Sequence, residues 1–92
     1  GLAIEALISV QLKRHTREAF EQFRDYLQTL PEVADAYHVA GSTDFLVHVR
    51  ARSTDHLRDF AIDAFTTRDE VGRLETSLVF ERIRGGAPIT SA

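Results

Sequence analysis

Hydrophobic and polar residues alternate at the start of the chain. Over residues 3–13, alternate positions are uniformly apolar while the positions between them are mostly polar, which predicts a strand with one face in a core. The apolar positions are Ile4, Ala6, Ile8, Val10 and Leu12. The other positions are Glu5, Ser9 and Gln11, together with the apolar Leu7.

After residue 15 the apolar spacing changes to three and four residues, as in an amphipathic helix. Thr16 is a suitable cap, and Pro31 ends the predicted helix. Its apolar positions are Ala19, Phe20, Phe23, Tyr26, Leu27 and Leu30.

A second helix is predicted to begin at Ser53-Thr54-Asp55, whose side chains can cap free backbone N–H groups. Residues 66–72 then form a polar connection in which Gly72 is expected to break regular structure. The apolar stripe of this helix is Leu57, Phe60, Ala61, Ala64 and Phe65.

Between the helices, residues 33–40 and 45–52 are typical of two strands joined by a turn rich in Gly, Ser, Thr and Asp. A two-residue or four-residue turn places His38 opposite Val47 and His48 opposite Tyr37. The two histidines are then expected on opposite faces of the hairpin.

The last alternating run, Leu74, Thr76, Leu78 and Phe80, predicts a strand that ends near Ile83. The element order strand-helix-strand, strand-helix-strand predicts an α+β fold: a ferredoxin-like βαββαβ unit with a four-stranded antiparallel sheet and two helices on one face. We expect residues 1–84 to form this domain and residues 85–92 to be a flexible tail. The helices leave one sheet face uncovered, and Leu7, Leu46 and Val79 on it predict dimerisation through sheet faces.

Composition narrows the class of protein. The chain has 92 residues, a formal net charge of -3 and no cysteine, so it is one domain without disulfides, thiolate metal sites or cysteine nucleophiles. It has no basic patch for nucleic acid and no apolar run of membrane-spanning length. The cytoplasm is the favoured compartment, and a start at Gly1-Leu2-Ala3 without Met suggests a processed chain or fragment with a segment missing upstream.

Candidate chemistry is sparse. The four histidines show no metal-ligand spacing, and no serine lies in a nucleophile elbow. We therefore predict no catalytic residue, no metal site and no cofactor. One alternative stays open: a small dimeric ferredoxin-like monooxygenase or isomerase with His38 or His48 as base.

The hairpin turn is a better candidate for a functional site, because its residues could bind a ligand. Gly41 permits close approach to backbone N–H groups, and Asp44 supplies a carboxylate that suits an ammonium-bearing ligand. Thr76 and Ser77 add hydroxyls on the last strand. The structural alternative is that Asp44 only closes its turn and Thr76 is only a strand residue. Nothing in the spacing excludes this alternative.

Residues 33–47, VADAYHVAGSTDFLV, resemble the "V-x-x-x-Y-x-V-x-G-x-x-D-[YF]-[LM]-[LV]" signature of the effector-binding domain in Lrp/AsnC regulators, the feast/famine transcription factors. Residues 75–79, ETSLV, resemble the closing T-x-[IVL]-[VL] strand of that domain. The resemblance extends over nearly the whole chain.

The resemblance implies a sensing and oligomerisation domain that dimerises through its sheets and assembles further, from tetramer to octamer. Its effector, usually an amino acid, would bind near the turn. The implied ligand-binding residues are Gly41, Ser42, Thr43, Asp44, Thr76 and Ser77. Two features depart from the family: the chain lacks the DNA-binding helix-turn-helix, so DNA binding would belong elsewhere, and residues 66–72 lack the usual Leu-Pro-Gly-Val.

Overall fold

The computed structural model describes residues 3–86, and their element order is βαββαβ. The strands are β1 (Ile4–Leu12), β2 (Val33–His38), β3 (Phe45–Ala51) and β4 (Val71–Leu78). The helices are α1 (Arg17–Leu27) and α2 (Thr54–Ala61), and a π-helical turn, Ile62–Thr66, follows α2. The strands form one antiparallel sheet in the order β2-β3-β1-β4. The predicted ferredoxin-like fold is confirmed.

One core lies between the sheet and the helices. The predicted apolar side of β1 is buried in it, with Ile8 and Val10 completely inaccessible. From the helices come Phe23, Leu27, Leu57 and Phe60. Because alternate strand residues point to opposite faces, all these contacts leave the other sheet face without a helix. We call that second surface the open face.

The helix starts follow the predicted capping chemistry. The hydroxyl of Thr16 accepts a hydrogen bond from the Ala19 N–H at 3.1 Å, and Ser53 does the same for His56 at 3.0 Å. Helix α1 ends at Leu27, earlier than predicted from Pro31. The chain leaves it through a tight turn in which the Leu30 N–H donates to the Leu27 carbonyl, and Leu30 still packs on the core.

The second helix changes its winding at Ile62. The π-helical turn buries Ala64 and Phe65, which the sequence had assigned to a continuous helix. Tyr26 of α1 anchors this turn by donating its O–H to the Ala64 carbonyl at 2.7 Å. Arg68 lies over the Tyr26 ring, and its hydrogen bond to Glu70 raises the pKa of the guanidinium above its ordinary value.

The last strand lies earlier in the chain than predicted, from Val71 to Leu78. Gly72 was expected to break regular structure, but it is part of β4, opposite the register shift between Gln11 and Leu12 of β1. A Cβ on Gly72 would stand only 3.2 Å from the Lys13 Cγ. The glycine therefore lets β4 pass close to β1, as glycines at such irregularities do.

The predicted hairpin register is wrong by two residues. His38 lies opposite Phe45, Tyr37 opposite Leu46, and Asp35 opposite His48. The physical reason is that the Val39 N–H donates to the Asp44 carbonyl, so Asp44 belongs to the strand side and the loop is residues 40–43. A shift of two residues preserves the faces, and the histidines do lie on opposite sides.

Only two residues of the predicted tail, 85 and 86, fall in the described part of the chain. Residues 87–92 lie outside it, so the flexible tail stays a prediction. None of the helices described between residues 3 and 86 is long and apolar enough to cross a membrane.

Candidate functional site at the hairpin turn

The turn at residues 40–43 is held in a defined shape. Gly41 adopts φ 109°, a backbone conformation that side-chain-bearing residues rarely adopt. Thr43 is tied to the sheet, since its hydroxyl and that of Ser9 on β1 are 2.8 Å apart. Ser42 is exposed at the tip. The turn is therefore fixed against the open face of β1.

Asp44 has a structural role in this arrangement. It is buried, with 7% of its surface exposed, and its carboxylate accepts the Leu12 N–H at 2.7 Å. The same oxygen is 3.2 Å from Nε2 of His15. The carboxylate thus supplies an acceptor on the β3 side of β1, where β1 extends past Phe45, the first residue of β3. This geometry agrees with the turn-closing alternative, and a ligand contact by Asp44 stays a prediction.

The two hydroxyl residues of β4 do not converge. Directly opposed residues of antiparallel strands share a face. Thr76 lies opposite Ile8, on the helix side, whereas Ser77 lies opposite Leu7, on the open face. Of this pair, only Ser77 shares a face with the turn's Thr43–Ser9 contact.

A polar pocket lies where the turn meets the open face. Its volume is about 240 Å³, and its lining is Ser9, Gln11, Ser42, Thr43, Arg73 and Glu75. We call it the turn pocket. Ser42 and Thr43 form one wall, β1 supplies Ser9 and Gln11, and β4 supplies Arg73 and Glu75, which are paired with Gln11 and Ser9 respectively. Two of the predicted ligand-binding residues, Ser42 and Thr43, thus line a pocket.

Sequence reasoning missed the other four lining residues. The signal was present, because Ser9 and Gln11 are the polar positions of β1, and the fold places β4 beside β1. The pairing of Arg73 with Gln11 was not accessible, since β4 begins three residues before its predicted start at Leu74.

A second polar cluster lies at the other end of the open face. His48 has only 8% of its side chain exposed, and its Nε2 is 2.9 Å from Oε1 of Glu5. Its Nδ1 is 3.6 Å from Oδ2 of Asp35, and Arg50 approaches Glu5 at 3.6 Å. Among residues 3–86 no group of three His, Asp or Glu side chains is arranged to hold a metal ion.

His38 lies on the helix side in an aromatic stack. Its ring centroid is 4.6 Å from that of Phe45 and 4.6 Å from that of Phe20. It borders an open groove of about 740 Å³ between α1 and β2, whose lining combines apolar residues such as Phe20 with charged ones such as Arg24. His38 and His48, the two candidate bases, therefore lie in separate depressions on opposite faces.

The fold and the turn pocket define a ferredoxin-like domain with a small polar pocket at one end of its sheet. The family model of the Lrp/AsnC ligand binding domain matches residues 5–89, and the chain belongs to that family. The HTH-type transcriptional regulator AldR of Mycolicibacterium smegmatis is 39% identical over 89 residues, which are 97% of this chain and 52% of the relative.

Solved structures show the same fold. The crystal structure of MtbAldR superposes with a TM-score of 0.73 at 33% identity, over 96% of this chain and 61% of that one. The complex of NMB0573 from Neisseria meningitidis with L-Met superposes with a TM-score of 0.78 at 24% identity, over 89% of this chain and 53% of that one. The chain spans about half the length of the curated relatives it matches.

Proposed function

We propose that this chain is the amino-acid-sensing and oligomerisation domain of a transcriptional regulator. The observation that carries the proposal is the turn pocket, a site of about 240 Å³ lined by hydroxyl, amide and charged side chains, in a domain of the Lrp/AsnC ligand-binding family. A protein of the same fold was crystallised with L-Met, which supports an amino acid as the ligand class. The relatives are regulators, which favours sensing over the enzyme alternative.

The proposed mechanism is a population shift between assembly states. An amino acid that binds one assembly more tightly than another shifts the equilibrium by the difference in its affinities. DNA binding belongs to another part of the full regulator, which would act in the cytoplasm. The assembly of this domain would then set the spacing of the DNA-binding parts.

We propose that a second copy of the chain covers the apolar part of the open face and leaves the turn pocket accessible at its end. Leu7, Leu46 and Val79 are half-buried there, and Tyr37 is 56% exposed. Apolar surface of this kind marks a contact region. Tetramers to octamers would form from such dimers.

Ligand binding is tested by thermal unfolding with each of the common L-amino acids. A ligand at tenfold its Kd stabilises the fold by about 1.4 kcal/mol, which raises Tm by about 5–10 °C for a domain of this size. Sedimentation velocity with the same ligand should show a changed distribution of assembly states. If no amino acid alters Tm or assembly, the sensing proposal is wrong.

Assembly is tested with Leu46→Lys on the open face. The matched control is Ile62→Lys, which places the same charge on an apolar residue of the helix layer that is 44% exposed. We expect Leu46→Lys to give monomers by sedimentation and Ile62→Lys to leave assembly unchanged. Equal behaviour of the two variants would contradict dimerisation through the open face.

A further inference from the structure

Arg73 and Glu75 place opposite charges on the same wall of the turn pocket. They are two residues apart on β4, so both point to the open face, about 7 Å apart along the strand. Arg73 lies opposite Gln11 and Glu75 opposite Ser9. The cation is therefore beside a side-chain amide and the anion beside a hydroxyl.

These two charges differ from the charges at the other end of the open face. There, Glu5 is within 4.0 Å of His48, Arg50 and Arg82, so its carboxylate is already engaged. In the chain from residue 3 to residue 86, neither Arg73 nor Glu75 is in an ion pair within 4.0 Å. Both are exposed, and their charged ends are available to a ligand.

We infer that Arg73 and Glu75 recognise the two charged groups of a free α-amino acid, with Arg73 binding the α-carboxylate and Glu75 the α-ammonium. A guanidinium binds a carboxylate through two parallel hydrogen bonds, and a carboxylate accepts from an ammonium group. The inference rests on the proposed sensing function and names the groups that carry it out.

The rest of the lining narrows the ligand further. The pocket's uncharged side chains are three hydroxyls and one amide, from Ser9, Ser42, Thr43 and Gln11. Thr43 and Ser9 are already bonded to each other, whereas Ser42 is exposed at the turn tip. A ligand with a small polar side chain can form hydrogen bonds with these groups, whereas a large apolar side chain has no apolar surface to pack against in this pocket. The expected ligand class is a small polar amino acid such as serine.

The test is calorimetric titration of the whole chain with L-serine and two analogues. L-Serinamide lacks the carboxylate, and L-glycerate has a hydroxyl in place of the ammonium. We expect the unmodified chain to bind serine at least tenfold more tightly than either analogue. L-Leucine, with its apolar side chain, should also bind at least tenfold more weakly.

The variants Arg73→Gln and Glu75→Gln test which charged group of the ligand each side chain binds. Arg73→Gln should lose serine affinity at least tenfold and no longer discriminate against serinamide. Glu75→Gln should lose discrimination against glycerate instead. Arg52→Gln and Glu18→Gln, at exposed positions outside the pocket, are the charge-matched controls and should bind like the unmodified chain. Because all four positions are exposed, an unchanged Tm should show that each variant is folded.

The outcomes separate the inference from the function on which it rests. If the chain binds another amino acid, and Arg73→Gln and Glu75→Gln bind it unchanged, the inference is wrong and the sensing function stands. If serine binds but both variants lose affinity for all analogues equally, the assignment of charges is wrong. If no amino acid binds the unmodified chain, the sensing function itself fails.

Discussion

The two faces of the sheet bury their side chains by different means. On the helix side, Ile8 and Val47 are completely inaccessible among apolar neighbours from both helices. On the open face, His48 is buried to a similar degree, with 6% of its surface exposed, yet it lies between two carboxylates. The helix side depends on packing, and the open face on polar pairing around a few apolar side chains. Stability and assembly should therefore respond to different substitutions.

The largest expected effect comes from truncating the helix side. Ile8→Ala removes a fully buried side chain and leaves a cavity, which costs about 2–5 kcal/mol of unfolding free energy. Leu7→Ala, its neighbour on the open face, should cost less than half as much. Urea denaturation of the two variants measures the difference. Equal losses would show that the open face is packed as tightly as the core.

Asp44→Ala should cause the next largest loss of stability. It leaves the buried Leu12 N–H without its acceptor, which costs about 1–3 kcal/mol. Asp44→Asn keeps a side-chain oxygen at the same place and should recover most of that stability. The measurement is again urea denaturation, with serine binding as a second readout. An Asp44→Ala chain of full stability that no longer responds to ligand would favour a direct ligand contact instead.

A smaller effect is expected from Glu5→Ala. It removes the 2.9 Å partner of His48, and because Glu5 is partly exposed the loss should be only about 1 kcal/mol. High salt should reduce the difference from the unmodified chain, since it screens partly exposed charges. Thermal unfolding at low and high salt checks both points. If Glu5→Ala loses no stability at low salt, the Glu5–His48 contact does not stabilise the open face.

The smallest effect on the fold should come from a pair of substitutions on β4. Thr76 and Ser77 are both exposed, so Thr76→Glu and Ser77→Glu should each cost less than about 1 kcal/mol. The two side chains point to opposite faces of the sheet, because Ser77 shares the open face with Leu7 and Thr76 does not. Sedimentation should therefore show weakened assembly for Ser77→Glu alone. Weakened assembly in both variants would contradict an interface limited to one face.

The pattern of alternation was sufficient to predict which residues of β1 face the core and which helix positions are buried. It was not sufficient to predict the strand register. Val33 to His38 can pair with β3 at several offsets that keep the same faces, and the Val39–Asp44 hydrogen bond selects one of them. The π-helical turn and the close approach at Gly72 were equally hidden, because both depend on tertiary packing rather than on local periodicity.

The candidate site was predicted in part for the same reason. Gly41, Ser42 and Thr43 are adjacent in sequence and could be recognised as one turn. Arg73 and Glu75 join them only through the pairing of β4 with β1, which starts at an irregularity. The position of Asp44 in the turn motif led to the prediction that its carboxylate binds a ligand. Its engagement with Leu12 and His15 could be seen only in three dimensions.

The loop at residues 40–43 has a consequence for the entropy of binding. Its shape is set before any ligand arrives, by the Gly41 backbone, the Val39–Asp44 hydrogen bond and the Thr43–Ser9 contact. A ligand that binds a wall already ordered loses less affinity to the freezing of protein motion. More of its interaction energy then appears as affinity, so under the proposed sensing function a molecule as small as a single amino acid would bind tightly enough to act as the signal.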